Sequence, residues 1–285
     1  MFAAVVLAVT FLTPSSFHAD SVTKYDPVLA GSSARPNLIE TQIVSHGAVQ
    51  TGSSGDPVLN GYPASRIVVG GRSYLFIYGR WFGASRSALQ TNHVYTFGSF
   101  YPSPSMLGSH PTELPQEIVG GVLCDVWRSS GGVAEWTVWI GVHDHLLHRS
   151  EERYRAMDDG VTYNVDQRAT YSAFNQPVVI SAPPAFTSAD DCSLTGTPQV
   201  TDTVPAPTYP AALKKLGLGS LEVLVRAGVL ADGSVANWKV EKSSGNADVD
   251  NAALAAAKNA TFALVPNLCA GAWALGILRF DFNPQ

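Results

Sequence analysis

Apolar and polar residues alternate in short runs from Ser65 onward, and the runs are separated by turn formers. Arg66–Val69 (RIVV) and Arg72–Tyr78 (RSYLFIY) flank Gly70–Gly71, which predicts a hairpin because paired glycines accept the positive φ of a tight turn. His93–Phe97 alternates in the same way. Residues 120–141 (GGVLCDVWRSSGGVAEWTVWIG) predict a second hairpin about Ser129–Gly132, with Trp136 and Val138 on one face and Thr137 and Trp139 on the other. Further short strands are predicted at Thr162–Val165, Thr170–Ser172 and Val178–Ile180. No helical period precedes residue 185 apart from a short turn at Ser85–Leu89. Many short strands with Gly, Ser and Pro between them predict a mostly antiparallel β region, a curved sheet or half-barrel.

The grammar then changes. Residues 181–207 hold five prolines and no sustained period, so 186–206 reads as a Pro-rich linker. Tyr209–Leu216 predicts a short helix, with Pro210 in its first turn and Gly217 as its stop. Leu221, Val223, Val225 and Ala227 alternate as a strand, and Ala231-Asp232-Gly233-Ser234 turns into a second strand ending near Lys242. Asp248–Lys258 is alanine-rich, with Asp248 and Asp250 at the positive end of the helix dipole and Lys258 at the negative end. Trp273–Phe282 is a closing strand. The order α-β-β-α-β is that of a two-layer module, so the chain as a whole is α+β.

Ahead of the β region, Phe2–Leu12 is almost wholly apolar and is broken by Pro14. A run of that length suits a secretory leader over residues 1–19 with a cut at Ala19–Asp20, and is too short to span a bilayer. The expected organisation is therefore a leader, a β-rich domain over 20–185, the linker, and a module over 207–285. A periplasmic or secreted destination is expected, with no membrane span in the mature chain.

Composition narrows the function. Only 14% of the residues are charged, against about 25% in ordinary soluble domains, and 46% are apolar. That excludes a disordered chain. The net charge is −5, and no basic run exceeds Lys214–Lys215, which argues against a nucleic-acid partner and a polybasic membrane patch. Of the three cysteines, Cys124 sits on an apolar strand face and reads as a buried free thiol. Cys192 and Cys269 lie in polar, loop-like surroundings, which predicts a disulfide between them in an oxidising compartment.

His143, Asp144, His145 and His148 form the one cluster that suggests a metal, but the surrounding sequence reads as strand, turn and strand, so they are taken as turn residues. Asp158-Asp159 and Asp190-Asp191 read as solvated loop pairs. No nucleophile elbow, zinc-protease helix, P-loop or dinucleotide fingerprint occurs. The expectation is a non-enzymatic protein with no catalytic residues, cofactor or metal.

Tyr209-Pro210, Asp232-Gly233-Ser234-Val235, Ser243-Ser244-Gly245, Asp250 with Ala252-Ala253-Leu254, and Phe262 with Pro266 precede the aromatic closing strand. At these spacings residues 205–282 resemble the C-terminal domain of TonB-type energy transducers and their secreted relatives. The resemblance implies binding of a short segment of an envelope or outer-membrane protein by strand addition, with Trp273, Leu275, Ile277 and Arg279 on the receiving edge. It does not extend to a membrane anchor or long spacer, so a soluble exported binding protein is expected. Residues 120–127 and 135–141, Arg149, and Tyr171–Ile180 followed by Ala182-Pro183 resemble the lipoprotein-carrier fold of the LolA and LppX-like proteins. That likeness implies the alternative of a carrier, with a lipid or other apolar ligand on a face bearing Trp81, Phe82, Trp127, Trp136 and Trp139.

Overall fold

The computed structural model describes residues 10–28, 37–54, 65–85, 101–129, 133–158, 161–202, 204, 207 and 220–283. The predicted helix Tyr209–Leu216, the strand His93–Phe97, most of the turn Ser85–Leu89, and the pairs Lys214–Lys215 and Asp158-Asp159 in part lie outside them. The chain forms two compact units, one from residues 1–76 and 94–184, the other from 77–93 and 185–285.

The first unit is an antiparallel sheet. Its strands are β1 (Ser16–Pro27), β2 (Leu38–Ser45), β3 (Ala48–Ser54), β4 (Ser65–Val69), β5 (Arg72–Ile77), β7 (Thr112–Val119), β8 (Val122–Arg128), β9 (Ala134–Gly141), β10 (Leu147–Asp158) and β11 (Val161–Ser172). β6 (Arg80–Ser85) belongs to the second unit. The order is β5-β4-β3-β2-β1-β11-β10-β9-β8-β7, and the sheet is not closed into a barrel. Both predicted hairpins form: Gly70 and Gly71 take φ of 58° and 76° between β4 and β5, and β8 pairs with β9. The two short strands expected at 162–172 are one, β11. Val178–Ile180 is not a strand; Pro177 has no N–H to donate, and Val179 is 92% exposed.

β1, β2 and β3 were not foreseen, and they occupy the middle of the sheet. β1 pairs with β2 on one side and β11 on the other, through Ala19 with Gln42 and with Tyr171. At one end of the inner face, Phe11, Phe17, Tyr101, Tyr171, Ile140 and Leu147 pack into a core. The Tyr101 ring lies 5.0 Å from Phe17 and 5.2 Å from Tyr171, and its hydroxyl donates to the Leu12 carbonyl at 2.7 Å. The expected leader lies in part outside the described residues; a cut at Ala19–Asp20 would strip Ser16–Ala19 from β1 and remove Phe11 and Phe17 from the core.

In the second unit, β13 (Leu221–Val229), β14 (Val235–Lys242) and β15 (Ala274–Phe282) form an antiparallel sheet in the order β14-β13-β15, covered by the helix α1 (Ala247–Ala257). Val223, Val225, Ala227 and Val229 are each fully buried, as are Val249, Ala253 and Ala257 of α1. Small helix residues allow close approach to the sheet. Asn246 caps α1 by accepting from the N–H groups of Asp248 and Val249 at 2.9 and 3.3 Å. The Ser243-Ser244-Gly245 triplet is tied to the helix through Asp250, which accepts from the Ser243 hydroxyl and from the Ser244 N–H and hydroxyl at 2.8 Å. Burial pushes the Asp250 carboxyl up, but these hydrogen bonds outweigh it and hold the group below the usual carboxylate range.

The expected linker is part of this unit. β12 (Thr187–Ser188) pairs in parallel with β6 (Arg80–Ser85), Ala189 and Leu194 are buried, and Ser193 and Val200 bridge to Leu268 and Phe262. A segment without periodic apolar residues can still be anchored by isolated bridges and a covalent bond. The predicted Cys192–Cys269 disulfide supplies the latter, with sulfurs 2.05 Å apart across a separation of 77 residues. Cys124 is a free, buried thiol.

Candidate functional site

Among the described residues, β15 forms one edge of the three-stranded sheet and β14 the other. The two edges differ. β15 pairs with β13 without a break from Leu221–Phe282 to Val229–Ala274. The β13–β14 register shifts at Leu224/Val225 and again at Gly228/Val229. Irregular pairing and charged side chains (Lys239, Glu241, Lys242) are the usual devices that blunt an edge against strand addition. β15 is the regular edge.

Along β15, Ala274, Gly276, Leu278, Phe280 and Phe282 face the α1 side and are buried, and Leu275, Ile277, Arg279 and Asp281 alternate with them. Ile277 is 60% exposed and has no place in the core. Arg279 donates to Glu222 of β13 at 2.8 Å, and Lys242 of β14 reaches the same carboxylate at 2.6 Å. The Lys242 hydrogen bond, with the charge of Arg279, holds the Glu222 carboxyl below its ordinary range. This ionic row crosses all three strands and fixes the exposed end of β15.

Trp273 differs from the other three predicted edge residues. It precedes β15, its ring stacks on Tyr78 at 4.7 Å, and its carbonyl accepts from the Tyr78 hydroxyl at 3.2 Å. It also lies over Gly228, where a Cβ would come within 2.8 Å of the ring. Tyr78 was absent from the sequence expectations because it is nearly two hundred positions away along the chain. Its positive φ of 54° is a local sign of a special turn, but the sequence does not reveal it.

The five aromatic residues expected on one ligand face are divided. Phe82 is fully buried in the second unit and Trp81 stands beside it on β6. In the first unit, Trp127 and Trp136 pack against the Phe17–Tyr171 core, whereas Trp139 packs with Cys124 and Val126 on the opposite face of the sheet. Arg149 lies over the Trp139 ring at 4.3 Å. Period-2 geometry separates Trp136 from Trp139 as the sequence implied, and so prevents a common face.

His143, Asp144 and His145 lie in the connection between β9 and β10, and His148 is the second residue of β10. His148 and Asp144 are 2.9 Å apart, and Asp144 also accepts from the Leu146 N–H at 3.1 Å. Burial pushes the Asp144 carboxyl up, and the Leu146 and His148 hydrogen bonds more than reverse it. Among the described residues, no group of three or more His, Cys, Asp or Glu side chains is placed to hold a metal ion.

Residues 205–283 match the family described as the Gram-negative bacterial TonB protein C-terminal. No curated protein matches the chain. Similar solved structures include a LolA superfamily protein from Nitrosomonas europaea, at 10% identity and a TM-score of 0.25, covering 60% of this chain and 90% of that one. A structure of PNGF-II aligns at 7% identity and a TM-score of 0.26, covering 77% of this chain and 44% of its own. The family match falls on the segment read as TonB-like. No described helix is long and apolar enough to cross a membrane.

Proposed function

We propose that the protein is an exported, non-enzymatic envelope protein whose second unit binds a partner protein by strand addition at β15. The observation that carries the reading is the contrast between the two sheet edges: β15 is regular, spans nine residues and presents Leu275, Ile277 and Arg279. Backbone groups on such an edge give affinity, and alternate side chains give specificity. The TonB C-terminal match over 205–283 supports the same use of this module. The Cys192–Cys269 disulfide supports an oxidising compartment, periplasmic or outside the cell. A leader processed before Phe11 is compatible with an intact β1, and N-terminal sequencing of the mature protein tests that position.

The carrier alternative has less in its favour. The aromatic residues do not share a face, and the middle of the inner face of the first unit is polar. Site-specific photo-crosslinking tests the docking reading in intact cells. A crosslinker at Ile277 is expected to capture an envelope protein that one at Asn237 on β14 does not; equal capture from both sites, or none from Ile277, rejects it.

A further inference from the structure

We propose that one end of the first unit's sheet, led by the tip of the β7–β8 hairpin, seats on the surface of a lipid bilayer. This contact is independent of the β15 docking reading. The tip runs Ile118-Val119-Gly120-Gly121-Val122-Leu123 and carries no polar side chain on either face. Gly120 and Gly121, at φ of 56° and 86°, close it as a two-residue turn that needs positive φ at both positions. Ile118 stands opposite Leu123 on one face, and the two are 73% and 41% exposed. Val119 stands opposite Val122 on the other face, where both are half-buried against Cys124, Val126 and Trp139.

The register brings further exposed apolar residues to the same end. The Val142 N–H donates to the Leu123 carbonyl at 3.0 Å, and in the same β9–β10 connection the His145 carbonyl accepts from the Leu12 N–H at 2.9 Å. Leu12 is 59% exposed and closes the apolar run that begins at Phe2, so the chain enters the sheet at this end. Next to it, the Asn175 N–H donates to the Ser16 carbonyl and the His46 N–H to the Ser15 carbonyl. The Ser45 hydroxyl then donates to the Val178 carbonyl, beside the exposed Val179. Residues 12–15, 46–47, 120–121, 142–146 and 173–180 thus meet at one end of the sheet and include no Lys, Arg or Glu. Asp144 is their one acid, and it lies 2.9 Å from His148.

Single exposed apolar residues are ordinary on a soluble surface, but several on one nearly uncharged end mark an interaction site. The shape favours lipid over protein. A protein partner covers one face of a hairpin, whereas a projecting tip that is apolar on both faces suits a fluid that closes around it. The tight turn also leaves few backbone groups unpaired, as an apolar medium requires. The next pair back from Ile118 and Leu123 is polar: the Gln116 amide donates to the Asp125 carboxylate at 2.7 Å. At about 3.4 Å per residue this limits the apolar tip to about 7 Å, the depth of the boundary between headgroups and acyl chains. Without Lys or Arg in these segments the attraction is apolar, so zwitterionic headgroups match this end better than anionic ones.

The test is co-sedimentation of the exported protein with vesicles of phosphatidylcholine and phosphatidylethanolamine at about 0.15 M salt, where exposed charges are screened. Binding is expected, and Ile118→Glu combined with Leu123→Glu is expected to weaken it about tenfold or more. Val133→Glu, at an exposed apolar position in the β8–β9 connection at the opposite end of the sheet, is expected to bind as the parent does. A polarity-sensitive dye on Ile118→Cys is expected to shift to the blue when vesicles are added, and one on Val133→Cys is not; this readout does not depend on the folding of the charged variant. Failure of the parent to bind, undiminished binding by the charged variant, or an equal loss with Val133→Glu overturns the proposal. So does binding confined to vesicles containing phosphatidylglycerol and abolished by salt, or a dye shift at Ile118 produced by an envelope protein extract and not by vesicles.

Discussion

The two units bury their sheets against different interiors. In the second, Val223, Val225, Ala227 and Val229 meet the small apolar residues of α1, and the nearby polar groups are matched: Asp250 by Ser243 and Ser244, Glu222 by Arg279 and Lys242. In the first, an aromatic core at one end gives way to Ser21, Thr23, Glu40, Gln42 and Thr51, with Thr51 Oγ1 and Ser73 Oγ unmatched among the described residues. Equal burial therefore has opposite energetic meaning. Apolar burial stabilises by about 25 cal/mol per Å², while an unpartnered polar group loses its hydration without return. One interior is apolar throughout, and the other is polar across its middle.

The sharpest test of that difference is to remove a packing residue. Phe282→Ala, at a position 2% exposed, is expected to cost about 3–5 kcal/mol in urea unfolding. Reducing the link by Cys192→Ser is expected to cost up to about 4 kcal/mol, because it frees a long loop in the unfolded chain. A loss well below about 1 kcal/mol for either would show that the second unit does not depend on these elements.

Glu40→Gln is expected to act in the other direction. The folded carboxyl titrates near 7 against an ordinary 4.5, so the folded state binds the proton more readily than the unfolded chain. Stability from this group is therefore lost as pH rises between those values, and remains low above them. The variant is expected to match the parent near pH 4 and exceed it by at most about 3 kcal/mol near pH 8. Difference curves from urea unfolding across that range check it; a constant difference breaks the contrast.

Smaller effects refine the second unit. Asn246→Ala should cost about 1 kcal/mol through loss of the α1 cap, measurable by thermal unfolding. Ile277→Lys should change stability by no more than about 0.5 kcal/mol, because the side chain is outside the core, yet abolish partner capture by a crosslinker placed at Leu275 on β15. A large loss of stability would place Ile277 in packing and remove it from the docking edge.

Much of the second unit was legible locally. The Asp232-Gly233 turn, the capped helix and the alternation of Leu275–Phe282 each act within a few residues, and the Cys192–Cys269 pair followed from their similar loop-like settings. The β4–β5 and β8–β9 hairpins were legible for the same reason. β1–β3 were not, because their inner positions carry Ser21, Thr23, Glu40, Gln42 and Thr51 while Val22 and Ile39 face outward, 37% and 46% exposed. The polar inner face inverts the pattern by which a half-buried strand is recognised. The same inversion concealed the burial of Glu40. The Trp136–Trp139 alternation was read correctly, but a shared ligand face was still inferred from aromatic content.

By itself, the sequence determined the turns, the capped helix, the hairpin alternation and the family likeness of residues 205–283, since these depend on backbone preference and spacing over short distances. Only the tertiary structure decided that residues up to Ala19 complete a central strand, that the proline-rich stretch 186–206 is anchored by Leu194 and Cys192, and that Tyr78 covers Trp273. It alone also showed that Glu40 is buried on the inner face of the sheet. Each of these depends on contacts between residues distant in the chain, where loop closure and the desolvation of individual groups, rather than local periodicity, set the energy.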